Sequence, residues 1–227
     1  MEIIAEPFSY ESVVPCHGTT TIKVLYTNMA KSVDSWIKKV EAVLDSSATT
    51  KIVGFDVEYT PKGFHQQTAA VVQFCVGTDV LVYHYCHGDK EPTRLDAFTG
   101  NWHYTFAGFD ITTDRKVLSR STPPLYVSNH KDIQTIWRDP DKPRKRIQGM
   151  KDVAAAIIDP YYQDMKDGFG ENEHRMWADA PPLPDAHVAY AARDAYVSYE
   201  LYRRLDVFER GFFCLFKSSE KKRAREW

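Results

Sequence analysis

The sequence predicts an α/β domain, a mixed sheet that is antiparallel in its first half and covered by helices. Three observations carry this. Ile52-Val53-Gly54-Phe55 is a short apolar run, β-branched at its start and bounded by polar residues, as a buried strand should be. Residues 68–76 and 80–85 are β-rich and joined by Gly77-Thr78-Asp79, a hairpin turn. The second half then alternates strand-like and helix-like segments, the pattern of a sheet packed under helices.

Residues 1–20 show no period and are expected to form a loose leader. Residues 21–26 suit a short edge strand. Val33, Trp36, Ile37, Val40, Val43 and Leu44 recur at helical spacing. The strand at 51–57 follows and opens a β-meander with the hairpin. Beyond it, 104–108 reads as a strand, 111–119 as a helix, Pro123-Pro124-Leu125-Tyr126-Val127 as another short strand, and 149–158 as a helix. Residues 164–180 are polar and irregular, a loop with Trp177 as its anchor. Pro181-Pro182-Leu183-Pro184 ends that loop, and Asp185 suits the N-cap of a long helix from Ala186 to about Phe208. No repeat or linker divides the chain, so the expected organisation is a leader (1–20), one domain (21–210) and a basic tail (211–227).

At 227 residues the chain can bury one substantial core, and its 43% hydrophobic and 26% charged content is ordinary for a globular domain. No apolar run approaches the ~20 residues of a membrane span, and Glu2 and Glu6 interrupt any secretory pattern at the start. Cys16, Cys75, Cys86 and Cys214 are scattered, with no C-x-x-C pair. Reduced thiols in an intracellular compartment, nucleus and/or cytoplasm, are expected. The formal net charge of −2 argues against a surface that grips nucleic acid everywhere, but not against a basic groove around an acidic centre. Lys142-Pro143-Arg144-Lys145-Arg146 and Lys221-Lys222-Arg223-Ala224-Arg225 are the two basic clusters. Each suits phosphate contact or a nuclear address, and equally a solvated loop or frayed tail.

Asp56-Val57-Glu58 carries the sharpest chemical signal. Residues two apart on a strand share a face, so two carboxylates would stand side by side at the edge of a hydrophobic core. Such a pair is unfavourable unless protons or cations intervene. A bound divalent metal is the simplest remedy. On the last helix, Tyr190 and Asp194 are four apart and share one face, among Ala186, Ala189, Ala191, Ala192 and Ala195, whose small side chains would let the helix lie close to the sheet. Asp110 and Asp114 lie between, and helix capping accounts for each taken singly.

Taken together, an Asp-x-Glu on an early strand, an Asp at a central strand-to-helix junction and a Tyr-x-x-x-Asp on a late helix resemble the DEDD superfamily of 3′–5′ exonucleases, with the Tyr marking its DEDDy branch. The resemblance is greatest to the Werner-syndrome-type exonuclease domain and its stand-alone plant relatives, with ribonuclease D more distant. Val53-Gly54-Phe55-Asp56-Val57-Glu58-Tyr59 is similar to the first motif, Ala70-Val71-Val72-Gln73-Phe74-Cys75-Val76-Gly77 to the second strand, and Leu183-Pro184 through Tyr190-Ala191-Ala192-Arg193-Asp194-Ala195-Tyr196 to the last motif. In the family's middle motif an Ile precedes the key Asp by three and a Lys and Leu follow, which favours Asp114, with Asp110 as fallback. The sister branch would carry a His five residues before the last Asp; that position is Ala189, and His187 is misplaced. Tyr59 stands where a Trp is common.

The resemblance implies a ribonuclease H-like mixed sheet of five to six strands flanked by helices. It also implies hydrolysis of DNA or RNA from a single-stranded 3′ end, releasing 5′-mononucleotides. Asp56, Glu58, Asp114 and Asp194 would hold two Mg²⁺ or Mn²⁺ ions, hard cations suited to all-oxygen ligands. Tyr190 would orient the attacking water. Tyr59, Phe64 and Trp177 are candidate base-stacking residues, with core packing as the plainer expectation, and Lys62 and His65 are candidate phosphate contacts. A catalytically silent nucleic-acid- or protein-binding module on the same fold is the alternative.

Overall fold

The computed structural model describes residues 6–63, 66–137 and 149–223, with side chains through residue 206. In chain order the elements are β1 (Ser9–Pro15), β2 (Thr21–Thr27), α1 (Ala30–Ser46), β3 (Lys51–Tyr59), β4 (Ala69–Val76), β5 (Asp79–Tyr83), α2 (Leu95–Thr99), β6 (Tyr104–Gly108), α3 (Ile111–Leu118), β7 (His130–Asp132), α4 (Ile133–Ile136), α5 (Met150–Ile157), α6 (Glu171–Arg175) and α7 (Asp185–Arg223). The strands form one sheet in the order β1-β2-β5-β4-β3-β6-β7. Strands β3, β4 and β5 are the expected antiparallel meander, and β6 and β7 add to it in parallel.

Several expectations need correction. Part of the supposed leader is strand β1, which pairs antiparallel with β2 from Ser9↔Thr27 to Pro15↔Thr21. Only Val14 in it is buried, and its alternating Ser and Glu leave too weak an apolar pattern to read. β2 is therefore an interior strand, parallel to β5, and not an edge. Leu125 and Val127 are buried, but their segment joins no ladder; the strand lies at His130–Asp132, three residues long and too short to show a period. The sheet thus has seven strands, not five to six. α7 begins with Asp185 inside it, the Pro184 carbonyl accepting from the His187 and Val188 amides at 2.9 and 3.2 Å. Asp185 therefore sits in the first turn, where its charge favours the helix dipole. The helix backbone continues past Phe208 to Arg223. Phe64, His65 and the cluster at 142–146 lie outside the described residues, as do the side chains of the cluster at 221–225.

Strand alternation splits β3 between two cores. Val53, Phe55 and Val57 pack on the α1 side, with Phe74, Phe98 and Phe106. Gly54, Asp56 and Glu58 point the other way, under α7, whose Ala191, Ala192 and Ala195 are fully buried. The fit over Gly54 is close: a Cβ there would lie 2.2 Å from the Ala195 carbonyl oxygen and 2.7 Å from Tyr199. α7 runs antiparallel to β3, and Thr50 Oγ1 donates to Asp206 Oδ2 at 2.7 Å farther down the helix. One helical turn, about 5.4 Å, roughly matches two strand residues, about 6.6 Å. Gly54 therefore sets both the distance and the register that bring Asp194 over Asp56 and Glu58.

This close packing predicts that Gly54→Ala costs about 3 kcal/mol or more, because the added methyl meets backbone that cannot give way. Gly77→Ala, where nothing lies within 4 Å and only a φ of +63° is strained, should cost about 1–2 kcal/mol. Urea unfolding of the two variants checks this; equal midpoints would contradict it.

Candidate active site

Asp56, Glu58 and Asp194 each present a carboxylate oxygen, and the three oxygens lie within 4.8 Å of one another. β3 supplies two of them through its period of two, and α7 brings the third across the sheet. Glu58 and Asp194 are buried, while Asp56 is partly open to a cleft of about 570 Å³ that also reaches Asp114 and Tyr190. A larger groove of about 740 Å³, between β1, β2 and α1, contains no such convergence. Chemistry, not size, marks the site.

The register of β3 on β4 shifts between Glu58 and Tyr59, a bulge of the kind that re-aims side chains at the end of a strand. Tyr59 packs against the α1-side core and donates its hydroxyl to Asp114 Oδ1. Asp114 is 3% exposed, one turn into α3. Asp110 precedes that helix in the left-handed region, at φ 52°, exposed and making no side-chain cap. The structure therefore brings Asp114 into the cleft and leaves Asp110 exposed, not among the residues that line it. Trp177 is 1% exposed, an anchor that cannot receive a base.

Tyr190 and Asp194 share a helix face, as their spacing requires. Three neighbours were not foreseen. Lys166 Nζ donates to Tyr190 Oη at 2.9 Å and forms an ion pair with Asp194 Oδ2. Phe169 stacks on the Tyr190 ring with centroids 4.0 Å apart. His174 Nδ1 lies 3.9 Å from Glu58 Oε2. All three come from the segment expected as a loop before α7; it holds the single turn α6, which carries His174 and is too short to show which side chains turn inward.

The electrostatics are those of a site short of positive charge. Desolvation, then Asp194 and Glu58, hold the Asp56 carboxyl well above its ordinary range, and desolvation followed by Asp194 does the same to Glu58. Burial pushes Asp114 up to about 8 against the opposing Tyr59 hydrogen bond. Burial also raises Asp194, and Lys166 offsets only part of this. Burial works against the Lys166 charge, but Asp194, Tyr190 and Asp56 outweigh it and raise its pKa. Among the described residues, Asp114 Oδ2 and Asp194 Oδ1 are buried without a hydrogen-bond partner, a costly state for a carboxylate. An all-oxygen donor set with two orphaned oxygens and one ammonium among four acids fits hard divalent cations.

A family model described as a 3′–5′ exonuclease matches residues 32–207. No curated protein sequence matches the chain. Among solved structures, the chain is similar to the Nibbler EXO domain of Aedes aegypti, with 20% identity, coverage of 74% of this chain and 84% of that one, and a TM-score of 0.58. It is also similar to Trypanosoma brucei RNase D in a complex with GMP, at 16% identity, 80% and 56% coverage and a TM-score of 0.63. Escherichia coli RNase D, described as an exoribonuclease involved in structured RNA processing, matches at 17% identity, 86% and 48% coverage and a TM-score of 0.60. The chain thus spans most of the Nibbler domain but about half of each RNase D. At these identities the solved structures establish the fold, whereas the family model covers most of the sequence. The chain belongs to the 3′–5′ exonuclease family and is a hydrolase of the DEDD type on a ribonuclease H-like fold.

Proposed function

We propose that the cleft hydrolyses the terminal phosphodiester at a single-stranded 3′ end of DNA or RNA and releases 5′-mononucleotides, in an intracellular compartment and as a Werner-type member of the family. The convergence of Asp56, Glu58 and Asp194 on one point, with Asp114 beside them, carries this reading. Asp56, Glu58 and Asp194 would hold one Mg²⁺ or Mn²⁺ ion, with Asp56 and Asp114 holding a second. Divalent ions bound there supply charge neutralisation for the attacking and leaving oxygens.

The chain's own groups do the rest. Burial, then Asp194, raise the Tyr190 phenol above its ordinary range, so it stays protonated and acts by orienting water. Phe169 below the ring and Lys166 at the hydroxyl fix its direction. Tyr59 holds Asp114 through one oxygen and leaves Oδ2 for a ligand.

Asp56→Asn removes charge worth several kcal/mol in the transition state, so degradation of a 5′-labelled oligonucleotide should slow at least ~10³-fold; the wild-type rate would reject the site. Tyr190→Phe should lower kcat about 10²-fold with KM little changed. A protein lacking any Mg²⁺- or Mn²⁺-dependent nuclease activity would instead be a silent binding module.

The raised carboxyls also have a stability consequence. Unfolded Asp and Glu titrate near 4, whereas Asp114 titrates near 8 in the metal-free fold. Between these values the native state binds more protons than the unfolded one, so stability falls as pH rises. The Tm of chelator-treated protein should therefore drop from pH 5 to pH 8, and Asp114→Asn should flatten the slope. Excess Mg²⁺ should restore Tm most at the higher pH. A Tm that climbs with pH in the chelated protein would contradict this.

A further inference from the structure

A second cluster of ligand-type side chains lies apart from the carboxylate cleft. His84 directly follows β5, and Cys86 and His87 lie in the single 3₁₀ turn after it, Tyr85–His87. Their donor atoms, one from each residue, all lie within 4.8 Å of one another. Residues three apart in a 3₁₀ turn overlie each other, which brings the two imidazoles together, with centroids 4.8 Å apart and planes at 85°.

We propose that His84, Cys86 and His87 form a Zn²⁺ site that ties the end of β5 to the segment leading into α7. Two imidazole nitrogens and one thiolate are a borderline-soft donor set that suits Zn²⁺ and discriminates against Mg²⁺ and Mn²⁺. Three protein ligands leave a fourth position for water.

The surroundings already hold the imidazoles as ligands need to be held. A metal-bound His commonly donates its other ring N–H to a fixed partner, which sets the tautomer. His87 Nε2 lies 2.9 Å from the Ala178 carbonyl oxygen, so Nε2 carries the proton and Nδ1 offers its lone pair. His84 Nδ1 lies 2.8 Å from the Tyr26 hydroxyl, which accepts from the Leu183 amide at 3.0 Å. With the proton on Nδ1, Nε2 presents its lone pair. That Nε2 belongs to a fully buried residue and makes no well-formed hydrogen bond among the described residues, while the Trp177 main chain favours the protonated ring, a proton the ion would have to replace. Burial, followed by His87, drives the His84 pKa down to about 3, so the ring is neutral. Cys86 is an exposed residue and not disulfide-bonded, but burial pushes its thiol up to about 12, so the ion must displace that proton to gain the thiolate. Binding would form three metal–ligand bonds and release one proton, from the Cys86 thiol. Ala178 and Leu183, which meet the outer nitrogens through His87 and Tyr26, bracket the turn before α7, so the ion would brace the helix that carries Asp194.

Chelator-stripped full-length protein titrated with Zn²⁺ against a chromophoric chelator, and with Co²⁺ by absorption, tests this. With the carboxylate cleft saturated by excess Mg²⁺, wild type and Asp56→Asn should each take up one ion and show the near-ultraviolet band of a Co²⁺–thiolate bond. Cys86→Ser and His87→Ala should lose the band and weaken uptake by more than ~100-fold, and Tyr26→Phe by about tenfold, the lower end for an outer partner. In the same excess of Mg²⁺, Zn²⁺ should raise the Tm of wild type but not of Cys86→Ser, whose folding is checked by circular dichroism. Co²⁺ uptake without the band, uptake unchanged in Cys86→Ser, or uptake lost in Asp56→Asn would each overturn the proposal.

Discussion

The contact between Gly54 and α7 is the constraint on which the site depends. Side chains between a helix and a sheet ordinarily hold the two apart. Here a glycine faces a run of alanines, and the Ala195 carbonyl occupies space that any side chain at 54 would need. The helix lies low enough for the short side chain of Asp194 to meet carboxylates from the strand beneath. Were α7 raised or turned by one residue, Asp194 would move off the shared point, and three acids would become two and one.

That closeness carries an electrostatic cost which defines the chemistry. Four carboxyl groups are drawn into a poorly solvated cleft, two of them with an oxygen that nothing among the described residues satisfies. Lys166 contributes one positive charge and Tyr59 one hydrogen bond. The deficit favours protons or cations, and which of them is bound depends on pH and metal. The same arrangement that weakens the metal-free fold is the one that would grip a phosphate-bearing cation. Tyr59 uses its hydroxyl to hold one oxygen of Asp114.

How much of this was legible in the sequence follows from periodicity. Asp56 and Glu58 could be placed on one face because strands repeat every two residues, and Tyr190 with Asp194 because a helix brings residues four apart together. The alanines announced close packing, although the partner glycine was visible only as part of a motif. Lys166, Phe169 and His174 were not legible, because the segment that bears them follows no regular spacing and its geometry depends on Trp177 burying itself beneath them. β1 escaped because just one of its seven residues is buried, and β7 because three residues hold no pattern. Asp110 and Asp114 were separable in sequence only by likeness to a family motif; the fold separates them physically, one turn of α3 carrying Asp114 inward and leaving Asp110 exposed.

The central claim is that Asp56, Glu58, Asp114 and Asp194 together form a divalent-cation site. A crystal structure of the protein soaked in Mn²⁺, with anomalous diffraction recorded at the manganese edge, tests it most directly. The account predicts anomalous peaks at coordination distance, about 2.1 Å, from the Asp56, Glu58 and Asp194 oxygens, with a second peak between Asp56 and Asp114. Manganese found only elsewhere, with these carboxylates turned away from one another, would contradict it.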